Sequence, residues 1–241
     1  MALAIEYEGI ILKLSENTIP DELDVRYRTS KFVHIKRFRL LYNKHLPIEQ
    51  SALLVIDAQD SFKAMPRWEL RNNRDFETNV ARLIAAYRDA GLPVIYFLHS
   101  DDDPGFETTS KHYKLMDFID PEPNEPVLHK TTRNVFTSTR LAELLLEKGV
   151  RRLAITGIQM EQCCETSARV AADLGYAVDF VIDGTMTFPI QNRNNPMQEL
   201  GVDAIRERTE YVLRGRFATI TTVAEMEKQL DAIRASVVTA R

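Results

Sequence analysis

Three ionisable side chains stand where the sequence predicts strands to end, and their types suit covalent catalysis. Asp57 closes the apolar run 51–56, Lys130 ends a short extended segment, and Cys163 follows a glycine turn and opens a helical pattern. At a helix start, unpaired backbone N–H groups and the positive end of the helix dipole favour a thiolate over a thiol. Cys163 is therefore the candidate nucleophile, and its neighbour Cys164 is the rival for that role.

The elements that must position these residues alternate between strand and helix patterns from about residue 50 onward. Predicted strands cover residues 51–57, 94–99, 127–130, 152–156, 177–182 and 217–221. Predicted helices cover residues 75–90, 138–148, 163–174, 196–214 and 223–236. Repeated strand and helix units indicate an α/β fold, namely a three-layer α/β/α, Rossmann-like domain with a mostly parallel sheet of about six strands. Ligands of such folds bind beyond the carboxyl ends of the strands, where the three side chains would converge.

Residues 1–48 lie outside this alternation and form a predicted N-terminal extension to a domain at 49–241. Its strand-like and loop-like segments, which fit a hairpin or an arm, are residues 5–14, 17–24 and 32–41. Residues 25–46 carry seven Lys or Arg and no acid, which leaves −11 on the remainder of a chain whose net charge is −4. Interleaved aromatics invite a nucleic-acid interpretation, but the negative balance of the whole chain argues against it. We expect the extension to contact a neighbouring subunit of a homo-oligomer.

Composition excludes several classes of protein. The chain has 241 residues, 44% of them hydrophobic and 27% charged, so it can bury the core of a single α/β domain. Its apolar runs are shorter than a membrane span and its first residues lack the pattern of a secretory signal, so we expect a cytoplasmic protein without a membrane partner. Two adjacent cysteines fit neither a disulfide between distant segments nor a zinc site. The sequence contains no G-x-G-x-x-G turn, and we predict neither a cofactor nor a metal.

Three motifs in order along the chain resemble those of the isochorismatase-like cysteine hydrolases, a family that includes nicotinamidases and N-carbamoylsarcosine amidase. The run DAQDSF at 57–62 is similar to the family's first-strand D-x-Q-x-x-F pattern. HKTTRNVFTSTRL at 129–141 resembles its lysine motif, and GIQMEQC at 157–163 resembles its glycine-to-cysteine loop. Asp183, after the fifth predicted strand, fits the same pattern. The resemblance covers roughly residues 50–225.

This resemblance implies a Cys-Asp-Lys triad that hydrolyses a small-molecule amide, urea or carbamoyl compound through a thioester. Asp57 would take the Cys163 proton and return it to the leaving amine, while Lys130 would hold the carboxylate and favour the thiolate. The backbone N–H groups of Gln159 and Cys163 would form an oxyanion hole, with a cis peptide bond at Ile158–Gln159. The residues implied to contact substrate are Gln59, Phe62 and Phe136.

Several positions depart from the family pattern. Gln159, Met160 and Glu161 stand where the family commonly has a small residue, a small hydroxyl residue and then Asp or Asn, so the identity of the substrate stays open. After the second strand the chain has His99 and an acidic run at 101–103 in place of the Asp-x-His metal motif usual in nicotinamidases. We interpret that run as a solvated loop rather than a metal site.

The sequence also allows two alternative functions. One is an isochorismatase-type hydrolysis of a vinyl ether, in which the aspartate is the acid and a cysteine is dispensable. The other is a non-catalytic, redox-sensing protein that uses the adjacent Cys163 and Cys164. The presence of a cysteine six residues after Gly157 favours acyl transfer at Cys163 and assigns Cys164 to helix packing.

Overall fold

The computed structural model divides the chain into two compact units, Met1–Asn43 and Lys44–Arg241. It describes the backbone of residues 3–7, 10–14, 23–29, 32–38 and 46–239, and the side chains of residues 46–233. The first unit contains two antiparallel hairpins. Their strands are β1 (Leu3–Tyr7) with β2 (Ile10–Leu14), and β3 (Leu23–Thr29) with β4 (Phe32–Phe38). Most of the loop predicted at 17–24, and the surroundings of the seven basic side chains, lie outside the described residues.

The second unit alternates strands and helices and adds one hairpin. Its strands are β5 (Ser51–Ile56), β6 (Val94–His99), β7 (Val127–Lys130), β8 (Arg152–Ile158), β9 (Ala177–Met186), β10 (Ile190–Asn192), β11 (Asn195–Leu200) and β12 (Thr219–Thr221). Its α-helices are α1 (Phe76–Asp89), α2 (Leu141–Glu147), α3 (Glu165–Asp173), α4 (Val202–Leu213) and α5 (Val223–Thr239). Short 3-10 turns cover Ile48–Gln50 and Pro66–Leu70, and a π-helical turn covers Met160–Cys164.

Six strands form one parallel sheet in the spatial order β12-β9-β8-β5-β6-β7. The chain builds outward from β5 through β6 to β7 and then crosses back to β8, on the other side of β5. The strand order therefore reverses beside β5, and the carboxyl ends of strands that flank such a reversal border a crevice. Asp57 directly follows β5 and Lys130 ends β7, so both lie at this edge. The predicted three-layer fold with a mostly parallel sheet of about six strands is confirmed.

Helices cover both faces of the sheet and create two separate cores. Helices α1 and α5 pack on one face, which Leu53 and Val55 of β5 line. Helices α2, α3 and α4 pack on the other face, which Leu54 and Ile56 line. This alternation is what a strand buried on both sides requires. The apolar residues that recur at helical spacing along α1 are all buried: Phe76, Val80, Leu83, Ile84 and Tyr87. Among the described residues, no helix is both long and apolar enough to cross a membrane.

The hairpin of β10 and β11 contradicts part of the helix predicted at 196–214. Residues 195–200 pair with β10 and are exposed, and α4 begins only at Val202. A helix that started at 196 would carry Gly201 in its interior, at a cost of about 1 kcal/mol relative to alanine. Gly201 is instead extended, with φ −69° and ψ 158°. A cross-strand bond of 2.6 Å between Gln191 and Glu199 supports the hairpin.

Strand and helix boundaries differ from the predictions at other places. Both β8 and β9 run farther toward the carboxyl edge than predicted. β12 begins at Thr219 rather than at 217, because the N–H groups of Phe217 and Ala218 bond to the Leu213 carbonyl in the turn after α4. The helix predicted at 163–174 is α3, preceded by the π-helical turn that contains Cys163.

The backbones of β5 and β8 approach very closely where the two strands leave the sheet. Gly157 has φ 129°, and a Cβ at this position would lie 1.9 Å from the Ile56 carbonyl oxygen, so only glycine fits. One residue beyond this contact, Asp57 adopts a left-handed φ of 51°. Aspartate visits that region more readily than most residues, but the conformation still has to be held by its surroundings.

We predict that Gly157→Ala destabilises the protein by about 4 kcal/mol or more, because the added methyl group cannot avoid the Ile56 carbonyl. Gly149→Ala is the matched control. Gly149 also has a positive φ, of 65°, but a Cβ there meets no atom within 4 Å, so only a backbone strain of about 1 kcal/mol applies. Urea unfolding measures both losses, and equal losses would show that β5 and β8 separate easily.

Candidate active site

The structure brings Asp57, Lys130 and Cys163 together at the carboxyl edge of the sheet. Lys130 Nζ lies 2.8 Å from Asp57 Oδ2 and 3.4 Å from Cys163 Sγ. Asp57 and Lys130 have no exposed surface, and Cys163 is 5% exposed. An ammonium, a carboxylate and a thiol from three separate strand ends thus form one buried cluster.

Several groups hold the Lys130 ammonium in place. Besides the carboxylate and the thiol, Nζ contacts His99 Nδ1 at 3.2 Å and donates to the Thr132 carbonyl at 3.1 Å. Two strand spacings, or about 10 Å, separate β7 from β5, so a long side chain is needed to reach Asp57. Burial lowers the pKa of Lys130, but the Asp57 carboxylate, together with hydrogen bonds to Asp57 and Cys163, outweighs burial and raises that pKa. Lys130 is therefore a charged ammonium.

Cys163 lies in the loop that follows β8. The peptide bond between Ile158 and Gln159 in this loop is cis, and the π-helical turn then leads into α3. Burial, and then the charge of Asp57, raise the pKa of Cys163 to about 12 against the opposing effect of Lys130. The expectation that the helix start would favour a thiolate is wrong for the resting site, because burial and the carboxylate dominate. Cys163 rests as a neutral thiol beside a proton acceptor.

Cys164 lies in the core between α3 and the sheet. It has no exposed surface, and burial raises its pKa well above the ordinary value. Both cysteines are free thiols. A fully enclosed sulfur of this kind packs as a small hydrophobic group. The geometry therefore supports Cys163 rather than Cys164 as the nucleophile.

His99 belongs to the same cluster, which its place before the acidic run in the sequence did not indicate. The residue is 3% exposed, and its Nε2 lies 3.0 Å from Asp101 Oδ2. Nδ1 faces the Lys130 ammonium, and Nε2 faces both the Asp101 carboxylate and the Arg133 guanidinium. Arg133 contacts both the His99 ring and, at 3.1 Å, the Asp101 carboxylate. Asp101 is thus a partner of the site rather than a solvated loop residue.

Two of the residues predicted to contact substrate lie close to this cluster. Gln59 is fully buried, and its amide accepts from the His99 N–H at 2.7 Å and donates to the His99 carbonyl at 3.1 Å. Direct contact of Gln59 with substrate is therefore not supported, because its amide is used to fix the end of β6. Phe62 meets Phe106 edge-on, with ring centroids 5.0 Å apart, and stacks on Phe188 at 6.0 Å. It contributes to an aromatic cluster at the carboxyl edge.

Phe136 and Asp183, two other residues of the predicted motifs, make contacts that support the fold. The Phe136 ring stacks on the Tyr176 ring. Tyr176 directly precedes the amino end of β9, so this contact points the Phe136 ring away from the carboxyl edge of the sheet. Asp183 Oδ1 accepts from the Val223 N–H at 2.8 Å and caps α5. Within residues 46–233, no three His, Cys, Asp or Glu side chains are grouped so that they could hold a metal ion.

A model of the isochorismatase domain matches residues 51–225. The chain belongs to the isochorismatase family. Ureidoacrylate amidohydrolase RutB of Variovorax paradoxus (strain S110) is 26% identical over 214 residues, which cover 74% of this chain and 80% of the relative. Nicotinamidase 3 of Arabidopsis thaliana is 33% identical over 154 residues, which cover 57% of this chain and 74% of the relative. A solved structure from Chromobacterium violaceum, assigned to a hydrolase of the isochorismatase family, aligns with a TM-score of 0.71 at 26% identity. The alignment covers 76% of this chain and 95% of that structure's chain. This isochorismatase-family chain is a hydrolase.

Removal of one member of the Asp57–Lys130 pair should destabilise the fold more than removal of both. Asp57→Asn leaves a buried ammonium unpaired, and Lys130→Met leaves a buried carboxylate unpaired, each at about 3–5 kcal/mol. The double variant Asp57→Asn/Lys130→Met buries no charge and should recover much of that loss. Urea unfolding of the four proteins completes the cycle. Additive losses in the double variant would contradict a direct interaction between the pair.

The state of His99 should make stability depend on pH. Burial, and then the charge of Lys130, lower the pKa of His99. The other charged groups that face the ring are Asp57, Asp101 and Arg133. An unfolded imidazole titrates near about pH 6.5, so the stabilisation is complete above that pH and is lost as the pH falls toward the lowered folded value. Thermal unfolding from about pH 8 to 5 measures this loss.

The variant His99→Gln should flatten the acid side of that stability profile, since it removes the titrating group but keeps an acceptor near Lys130. His129→Gln is the control, because His129 is the exposed neighbour of Lys130 on β7 and should keep the wild-type profile. An unchanged acid side in His99→Gln would assign the loss to other groups.

Proposed function

We propose that this isochorismatase-family hydrolase is a cysteine enzyme that cleaves the C–N bond of a small amide, urea or carbamoyl compound through a thioester. The observation that carries the proposal is the position of Lys130 Nζ, 2.8 Å from Asp57 Oδ2 and 3.4 Å from Cys163 Sγ. Two of the relatives described above, an amidohydrolase and a nicotinamidase, support the choice of bond.

In the acylation half of the reaction, Cys163 Sγ bonds to the substrate carbonyl carbon while its proton passes to the Asp57 carboxylate. The negative charge moves to the carbonyl oxygen, which the backbone N–H groups of Gln159 and Cys163 would stabilise. The tetrahedral adduct then collapses and the C–N bond breaks. Asp57 returns the proton to the leaving nitrogen, which departs as ammonia or an amine, and the acyl group stays on sulfur.

Water completes the cycle. Asp57 takes a proton from water as the water oxygen adds to the thioester carbonyl, and the C–S bond then breaks. The proton held by Asp57 goes to the departing Cys163 sulfur, so the resting thiol is restored and an acid is released. Lys130 remains charged throughout, and its role is to hold the carboxylate and to stabilise the sulfur anion.

The two alternative functions have less support. Vinyl ether hydrolysis would leave unexplained why a thiol lies 3.4 Å from the buried ammonium. Redox sensing through Cys163 and Cys164 would need a thiolate or an accessible sulfur, whereas both pKa values are raised and Cys164 has no exposed surface.

We predict that Cys163→Ala and Cys163→Ser lower turnover by about four orders of magnitude or more while leaving the protein folded. Cys164→Ala removes only packing and should stay within about tenfold of wild type. The assay is ammonia release across a panel of small amides, ureas and carbamoyl compounds, with mass spectrometry of quenched enzyme to detect an acyl adduct on Cys163. Full turnover by Cys163→Ala together with loss in Cys164→Ala would reverse the assignment of the nucleophile.

A further inference from the structure

Arg67 lies beside the loop that carries Cys163, and no step of the proposed reaction uses it. It belongs to the 3-10 turn Pro66–Leu70, and its guanidinium lies over the Phe188 ring, 5.1 Å from the centroid. When the Gln159 amide is oriented to satisfy both of its ends, its oxygen accepts from Arg67 Nη2 at 2.8 Å and its nitrogen donates to Glu161 at 3.2 Å. Arg67 therefore contacts the part of the loop in which Gln159 and Glu161 differ from the residues that are common in the family.

The Arg67 guanidinium has unused binding capacity. Its Nε is buried and has no hydrogen-bond partner within the part of the chain that the structure describes. Glu161 and Asp103 act on it through their charges, but burial outweighs both and lowers the pKa of Arg67. Glu161 is itself engaged, since the Thr187 hydroxyl donates to its Oε2 at 2.5 Å. A partly buried cation with an orphaned donor favours the arrival of an anion.

Aromatic rings connect Arg67 with the reacting groups. Phe188, under the guanidinium, stacks on Phe62 at 6.0 Å, and Phe62 meets Phe106 edge-on at 5.0 Å. Phe106 in turn lies against the His99 ring, 6.3 Å between centroids, and His99 contacts the catalytic ammonium. The three phenylalanines form an aromatic wall with Arg67 at one end and the Lys130 cluster at the other. Packed rings therefore connect the surroundings of Arg67 with those of the Lys130 cluster.

The segment that carries Arg67 is fixed before any ligand arrives. Asn72 and Thr187 exchange two hydrogen bonds, of 3.2 Å from the Asn72 N–H and 2.9 Å from the Thr187 N–H, which tie the segment to the chain after β9. The Arg71 guanidinium stacks on Trp68 at 4.3 Å, and Trp68 lies 6.2 Å from Phe188. A donor held on such a support loses little conformational entropy when it binds a ligand.

We propose that Arg67 is the carboxylate-binding residue of the substrate site, and that the substrate is a small amide that carries a carboxylate remote from its scissile bond. A carboxylate fits because the terminal nitrogens of a guanidinium lie in one plane and can donate to both carboxylate oxygens. The inference rests on the proposed function for the position of the scissile bond. Gln159 then serves both ends of the substrate, its backbone facing the oxyanion and its side chain holding Arg67.

The test compares amides that differ only in the remote charge. Succinamate and butanamide are the central pair, and malonamate and glutaramate vary the distance to the carboxylate. Wild type should prefer the best amide acid over butanamide in kcat/KM, and Arg67→Gln should lower that preference roughly 10- to 100-fold, mainly through KM. Arg74→Gln removes the same charge from an exposed, Glu69-paired position and should keep the preference.

Binding without turnover separates this proposal from the proposed function. Calorimetry with Cys163→Ala and with Cys163→Ala/Arg67→Gln measures the affinity of the same amide acids. Binding that depends on Arg67, in a protein that hydrolyses none of the amides, would support the carboxylate site and overturn the hydrolytic proposal. Equal hydrolysis of succinamate and butanamide in wild type and Arg67→Gln would retain the hydrolase and overturn the carboxylate site. Binding that is indifferent to Arg67 at all three chain lengths would also overturn it.

Discussion

The buried ion pair between Asp57 and Lys130 is the interaction around which the site is built. Withdrawal of two charges from water costs several kcal/mol per ion, and a contact of 2.8 Å offsets that cost only when the remaining donors and acceptors are also satisfied. Asp57 Oδ1 has no hydrogen-bond partner within the described residues, whereas the Thr132 carbonyl and the neutral His99 ring meet this need at the ammonium. The sheet order makes it possible, because β6 lies between the two partner strands and presents His99 at the correct level.

The same pair explains how a neutral thiol can become a nucleophile without a large change in buried charge. At rest the carboxylate raises the pKa of Cys163 and the ammonium lowers it. In the proposed mechanism, transfer of the thiol proton to Asp57 removes the first effect and leaves the second unopposed. The cluster holds one positive and one negative charge before and after the transfer. Reorganisation around it is therefore small, which is the condition for efficient electrostatic stabilisation in a buried site.

The sequence predicted the parallel sheet and the convergence of Asp57, Lys130 and Cys163 at one edge. Both predictions were possible because buried strands and the polar residues at their ends form a clear local pattern. It did not identify His99 as a partner of Lys130, since that contact depends on the register between β6 and β7. It also missed the resting thiol, because burial of Cys163 is a property of the assembled site. The exposed hairpin before α4 was mistaken for helix, since pairing between its strands is a contact that helical spacing does not report.

Gln159 illustrates why chemistry and recognition can vary separately in such a site. The backbone of Gln159 lies two residues after Gly157, where β8 packs closely against β5. The position of this backbone therefore depends on the fold. The Gln159 side chain instead reaches Arg67 and Glu161, outside the buried ion pair. Under the proposed carboxylate site, substitution of these three side chains would change the groups that meet the remote part of a substrate while leaving the Lys130 contacts intact. In the two proposals made here, the sheet topology sets the groups for acyl transfer, and a few side chains at the margin of the site set the choice of substrate.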